Sequence, residues 1–245
     1  MLTLPYKIAI VSHRRPHILA AQTYKMLRES NASVTDIDLF LSDAQDAEEY
    51  AILPLKQIIT KAGNVRDKFN FVHNHYPVGT RVMVLEDDIT VIDKAGAVVT
   101  DINAMAQLGF SSIGAQGLWG IAPHANTFYF SGKVTHSLKL VVAHCFGYVS
   151  TKEEALAITQ PTKTDYERTL LYFQRYGCVT RLDMYGVKTK SYTQAGGIQS
   201  DYTRDQRHAL EQAACNYLVD RFRGLVSHNI TKKSLHAELR LSRAG

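Results

Sequence analysis

Three consecutive carboxylates, Glu86-Asp87-Asp88, follow directly on the apolar run Val82-Met83-Val84-Leu85. Moving a charge out of water without a partner costs several kcal/mol, so acids at the end of an apolar segment need either solvent or a counter-charge. One source of counter-charge is a nearby lysine or arginine on a solvated turn. The other is a hard divalent ion, Mn²⁺ or Mg²⁺, which takes carboxylate oxygens and shares its remaining coordination sites with phosphates. On that reading Asp88 and Asp87 are the metal ligands, and Glu86 and Asp87 also face the phosphates of a nucleotide.

Other groups fit the same chemistry. Ser12-His13-Arg14-Arg15-Pro16 stands between an apolar run and a helical pattern, where backbone amides and a helix dipole favour an anion; the alternative is a solvated basic loop. Asp43 and Asn64 can each contact a base or ribose, or cap the helix that follows. Arg66 lies one turn into such a helix and can reach a pyrophosphate. Asp165, in Thr164-Asp165-Tyr166-Glu167, is the candidate general base for an acceptor hydroxyl, its plainer role being a dipole complement worth under about 1 kcal/mol. Gly117 and Trp119 lie in a glycine-rich strip that suits the border of a sugar pocket, although a tryptophan equally suits a core. The loop 195–199 is either a closing flap or a tight turn.

These residues must be positioned by the elements around them. Lys7–Val11 reads as a buried strand, and Pro16 opens a helix running to Glu29. A strand is expected over Val34–Leu41, a helix over Ala44–Tyr50, a strand over Ile52–Ile59, a helix over Val65–His75 and a strand over Arg81–Leu85. Such alternation implies right-handed crossovers and a mainly parallel sheet covered on both faces, with ligands where strand C-termini meet loops. The tips after Val11, Ser42 and Leu85 should share one rim. Beyond residue 100 the pattern predicts a helix over Asp101–Leu108, strands at Ser111–Gln116, Thr127–Ser131 and Leu138–Tyr148, a helix over Lys163–Tyr176, a strand at Val179–Leu182 and a long helix over Asp201–Phe222.

At 245 residues and 45% hydrophobic content the chain can bury a substantial core in one domain. Its 28 basic and 23 acidic residues leave a net charge of +5, which suits a polyanionic partner without requiring one. Cys145, Cys178 and Cys215 are widely spaced and match neither a disulfide framework nor a zinc pattern. No stretch approaches the roughly 18 to 20 apolar residues of a membrane span, and the first apolar run is too short for a secretory leader. A soluble, cytoplasmic protein is the expectation.

Taken in order, these residues resemble the GT-A glycosyltransferases. Ser12-His13-Arg14-Arg15-Pro16 looks like that group's nucleotide loop, Asp43 and Asn64 to Arg66 like its uridine-side contacts, Glu86-Asp87-Asp88 like its D-x-D motif, and Thr164-Asp165 like its catalytic E-D pair, with threonine in the first place. The group's usual C-terminal metal-binding histidine has only His208 and His228 as candidates. The resemblance implies an α/β, GT-A-like single domain with a mainly parallel central sheet, helices on both faces and a mixed-sheet C-terminal half. Residues 1–100 would bind the nucleotide sugar and residues 101–245 the acceptor.

A narrower similarity, carried by S-H-R-R-P, V-L-E-D-D, T-D-Y-E-R-T-L-L-Y-F and R-L-D-M-Y-G-V-K-T-K, is to the TET-associated, base-J-type glycosyltransferases of phages and kinetoplastids. It implies a UDP-sugar donor and, as acceptor, DNA carrying 5-hydroxymethylcytosine or a related hydroxymethylpyrimidine, which must be flipped or otherwise presented. Lys188, Lys190, Arg204, Arg207, Arg221, Arg223, Lys232 and Lys233 would then contact phosphates, and Tyr185, Tyr192 and Tyr202 could stack on bases. Two other readings stay open: a GT-A enzyme acting on a glycan, lipid or protein, and an inactive nucleic-acid-binding module on the same fold.

Overall fold

The first apolar run is indeed a strand in the computed structural model, which describes residues 4–189, 202–231 and 237–242. β1 (Lys7–Val11) leads into a helix over 16–29, α1, then β2 (Ile37–Leu41), α2 (Ala44–Glu49), β3 (Lys56–Ile59), α3 (Val65–His75) and β4 (Arg81–Glu86). β1 pairs in parallel with β2 and β4, and β2 with β3. All four strands therefore end on one side, and the tips after Val11, Ser42 and Leu85 share a rim. Covered on both faces, β2 is buried at every residue, which is why it reads as a continuous apolar run.

Pro16 takes the first helical position of α1, where its missing N–H is no loss. The middle of α1, Ala20–Tyr24, is wound as a π-helix between α-helical turns, a form frequent at functional sites. From this segment the fully buried Thr23 reaches the end of β4. Its hydroxyl donates to the Glu86 carbonyl at 2.7 Å and accepts from the Ile89 amide at 2.9 Å.

The chain continues through β5 (Ile89–Lys94), β6 (Ala97–Val98), α4 (Ile102–Ile113), β7 (Leu118–Ala122), β8 (Val134–Ser137), β9 (Cys145–Val149), α5 (Thr164–Tyr176), β10 (Val179–Thr189), α6 (Arg204–Arg221), β11 (Val226–His228) and β12 (Leu239–Leu241). The main sheet runs β3-β2-β1-β4-β9-β7-β10-β5-β6, with β8 on β10. It is parallel through the first four strands and mixed beyond, because β9 runs antiparallel to both β4 and β7. That reversal sets Cys145 opposite Leu85 and so brings the residue before it, His144, to the acid end of β4. β5 and β6 join the far edge through β10, so position 100 in the chain does not divide the sheet.

Alternate residues feed two cores. Ile8 and Ile10 pack with Leu19, Leu27 and Phe110 on one face, while Ala9 and Val11 pack with Phe69, Val72, Leu170 and Leu218 on the other. The fold is thus a mixed α/β domain around a large central sheet.

Several expected strands differ. Ser111–Ile113 continues α4, whose buried positions Ile102, Met105, Ala106, Gly109 and Phe110 keep helical spacing, and Gly114 at φ 63° ends it. Thr127–Tyr129 is a 3₁₀ turn capped by Asn126. Val34–Asp36 is likewise 3₁₀, and the strand expected over Leu138–Tyr148 begins only at Cys145.

Candidate active site

The three acids separate where β4 ends. Glu86 forms an ion pair with His144 Nδ1. Burial acts to raise the Glu86 carboxyl, but the His144 imidazole together with Arg15 and Arg168 outweighs it and holds the group below its ordinary value. In return, burial acts to lower His144 while Glu86 pushes it up to about 9. Asp88, only 4% exposed, is raised by burial and by repulsion from Glu86, and its Oδ1 has no hydrogen-bond partner. One ligand atom from each of Glu86, Asp88 and His144 lies within 4.8 Å of the others. An orphaned buried carboxylate oxygen beside a second carboxylate and an imidazole is a donor set that fits a divalent cation.

Asp87 corrects the expectation. It turns into the protein, fully buried, where Arg15 Nε donates to its Oδ2 at 3.1 Å and Arg15 Nη2 and Ser12 Oγ also donate to it. This forked contact is geometrically strong, yet burial outweighs it and lifts the Asp87 carboxyl to about 6. Asp87 therefore anchors the first loop to the acid turn, and the third member of the cation-compatible set is His144. The sequence offered His208 and His228 instead; both are exposed, and neither lies in the wall described below.

The loop after β1 is tightly braced. Tyr50 hydroxyl meets Ser12 Oγ at 2.5 Å and accepts the Arg15 amide at 2.9 Å, while the buried Lys68 ammonium donates to the Ser12 carbonyl at 2.6 Å. Asp46 Oδ2 lies 3.2 Å from His13 Nδ1 and accepts the Ser42 amide. Asp43 resolves as a helix cap, accepting the Asp46 amide at 2.9 Å. Asn64 caps α3 through the Asp67 amide at 3.0 Å.

A cavity of about 650 Å³ opens over this rim. Ser12, His13, Arg15 and Asn64 contribute to its wall, and so do Glu86, Asp88 and His144. The same wall includes Asp165, in the first turn of α5, with Lys163, Arg207, Glu211 and Glu238. Burial raises the Asp165 carboxyl, and Arg168, the Tyr166 amide, Lys163 and His144 pull it partly back. Arg207, expected on a nucleic-acid surface, sits here and pairs with Glu211 at 2.9 Å.

Other expected residues fall elsewhere. Trp119 is fully buried: a Cβ on Gly109 or Gly147 would come within 2.3 Å and 2.4 Å of its indole, so those glycines make room for it in the core. It is not part of the wall of the large cavity. Gly117 precedes β7, at the end of the sheet away from the acids, and packs on Ile113. Arg66 is held by Asp67 at 2.7 Å and by the Thr159 carbonyl at 3.2 Å, outside the cavity wall. Arg14 and Pro16 are also outside it. Lys188 and Arg204 are exposed on β10 and α6, Arg221 is tied to Glu167, and Tyr185 is buried in the core. Lys190, Tyr192, the loop 195–199, Lys232 and Lys233 lie outside the described residues.

This α/β architecture, with acids at the end of its fourth strand and a cavity over the parallel rim, is the GT-A type of fold found in nucleotide-sugar transferases. Among solved structures the chain resembles residues 1–349 of S. aureus TarS in complex with UDP-GlcNAc, with TM-score 0.58 and 12% identity over 89% of this chain and 67% of that one. A looser likeness, TM-score 0.46 and 10% identity over 73% of this chain and 88% of the other, is to a CMP:2-keto-3-deoxy-manno-octonic acid synthetase complexed with CTP. No family model and no curated protein matches the sequence. No helix among the described residues is long and apolar enough to cross a membrane.

Proposed function

We propose that the chain is a metal-dependent glycosyltransferase that moves a sugar from a UDP-type donor to the hydroxymethyl group of a 5-hydroxymethylpyrimidine in DNA, 5-hydroxymethylcytosine foremost. The observation that carries the transferase reading is one cavity whose wall holds both the Glu86–Asp88–His144 set and Asp165. Glu86, Asp88 and His144 would hold Mn²⁺ or Mg²⁺, which when bound supplies positive charge against the donor diphosphate.

The protein's own groups do the rest. His13, Arg15 and Asn64 face the nucleotide end of the cavity, with Lys68 and Tyr50 keeping their loop rigid. Asp165 stands where an acceptor hydroxyl would enter and takes its proton. As the acceptor oxygen bonds to the anomeric carbon, the bond from that carbon to the diphosphate oxygen breaks and its electrons leave with the diphosphate. Attack from the face opposite the leaving group inverts the anomeric centre. For the DNA acceptor the support is the net charge of +5 and the exposed Lys188 and Arg204, together with the sequence resemblance.

The test is mass spectrometry of hydroxymethylcytosine DNA incubated with Mn²⁺ and several UDP-sugars. A hexose or pentose adduct that disappears in Asp165→Asn is expected. Donor consumption stimulated by a glycan and not by modified DNA would overturn the acceptor assignment, and full transfer by Asp165→Asn would overturn the role of Asp165.

A further inference from the structure

Beneath the cavity floor lies a charge that the scheme above does not use. Arg168, on α5 one turn after Asp165, is 4% exposed, and its Nε, Nη1 and Nη2 have no hydrogen-bond partner. Its guanidinium carbon sits 3.6 Å from the centroid of the Phe146 ring and 5.1 Å from that of Phe69. Phe146 follows His144 by two residues on β9, and Phe69 lies in the wall of both the large cavity and the small internal void beside Arg168. The guanidinium is thus set between the metal-compatible set and the start of α5. Burial lowers it to about 10, and Asp165 is the strongest of the groups that pull it back, ahead of Tyr172, Glu86 and Tyr148.

A buried charge without hydrogen bonds is expensive, and an apolar side chain of similar volume would pack between Phe146 and Phe69 at no such cost. The aromatic faces recover only part of it. Residues three apart on a helix share a face, so the neighbour placed to use the charge is Asp165. Lys163, ahead of the helix, and His144 also act on Asp165, each less than Arg168 does. Lys163 is itself paired with Glu211 at 3.5 Å and His144 with Glu86, whereas Arg168 has no carboxylate in contact among the described residues.

We propose that Arg168 is a positioning residue for Asp165: fixed between two aromatic rings and unpartnered, it is the counter-charge that keeps the Asp165 carboxylate ionised and aimed into the cavity. The proposal rests on the reading of Asp165 as the base. It differs from a packing role because it predicts a change in ionisation as well as in rate.

The experiment compares wild type, Arg168→Met and Arg168→Lys in the full chain. Two readouts are needed: ¹³C NMR titration of aspartate carboxyls, with the Asp165 resonance assigned by its loss in Asp165→Asn, and the pH profile of kcat/KM. In Arg168→Met the Asp165 titration and the acid limb should both move to higher pH by about 1 or more, the range by which a neighbouring arginine depresses an aspartate. At neutral pH kcat should fall with little change in donor KM, whereas Arg168→Lys should keep both curves near those of wild type. Arg168→Gln replaces Arg168→Met if the latter does not fold. An unmoved Asp165 titration in a folded, charge-free variant overturns the proposal, and so does a loss of kcat without movement of the acid limb. Active Asp165→Asn would instead sink the base assignment, while the NMR titration still reports whether Arg168 governs that carboxyl.

Discussion

Asp88→Ala separates the cost of the acidic turn from its use. Asp88 is 4% exposed with an unpartnered Oδ1, and it lies close enough to Glu86 for their charges to oppose each other. A buried acceptor left unsatisfied costs about 1–3 kcal/mol. For a chain of this size each kcal/mol moves the melting temperature by about 2–4 °C, so the metal-free variant should melt about 2–12 °C above wild type. Saturating Mn²⁺ reverses the order of argument: at 100 times its Kd a ligand stabilises the folded protein by about 2.7 kcal/mol, and the variant, lacking one of three donors, should forfeit most of that gain. Scanning calorimetry with EDTA and then with millimolar Mn²⁺ reads both effects without any assumption about the sugar or the acceptor. A variant that melts below wild type without metal, or that keeps the full Mn²⁺ shift, refutes the reasoning.

Three further outcomes are expected. Asp165→Asn should abolish transfer and stabilise the protein in a pH-dependent way: burial raises the native carboxyl, so wild type loses stability as pH climbs out of the ordinary carboxylate range. The gain in melting temperature should therefore be small near pH 4 and larger at pH 7.5, and an equal gain at both would contradict the assignment. Gly147→Ala should destabilise by about 1–3 kcal/mol through overpacking against Trp119, seen as a lower urea midpoint, since its Cβ would fall 2.4 Å from the indole nitrogen. Binding to modified duplex DNA should weaken steeply with salt, each phosphate contact adding about 0.9 to the logarithmic slope; a flat titration counts against phosphate contact.

What the sequence discloses depends on how local each signal is. β1, α3 and β4 are legible because an apolar run or a helical period is complete within each segment. The acid turn is legible for the same reason, as charge abutting an apolar strand. His144 is not, since it sits at the end of the apolar run Leu140–Ala143 and becomes a ligand candidate only once β9 pairs with β4, 58 residues away in sequence. Asp87 misleads in the opposite sense: adjacent acids look equivalent in a string, but the turn after β4 sends one toward Arg15 and its neighbour into the cavity. Trp119 reads in the sequence as the border of a flexible strip because glycines surround it there, whereas the glycines that make room for it, Gly109 and Gly147, lie on α4 and β9. Arg168 carries no local mark at all, for nothing in T-D-Y-E-R shows which arginine will be sealed between two rings.

The π segment of α1 has a consequence for how this chain can vary. Thr23 braces the carbonyl of Glu86 and the amide of Ile89 from a helix that supplies no ligand of its own. Removing one residue from the α-helical turns that flank Ala20–Tyr24, where each residue advances the helix by about 100°, would rotate Thr23 by that angle relative to the turns beyond the deletion. The hydroxyl would then face away from the strand end. Residue count in that helix is accordingly constrained together with the identity of Glu86, Asp88 and His144, because a single codon deletion there would unbrace the acid turn while sparing every acid and histidine.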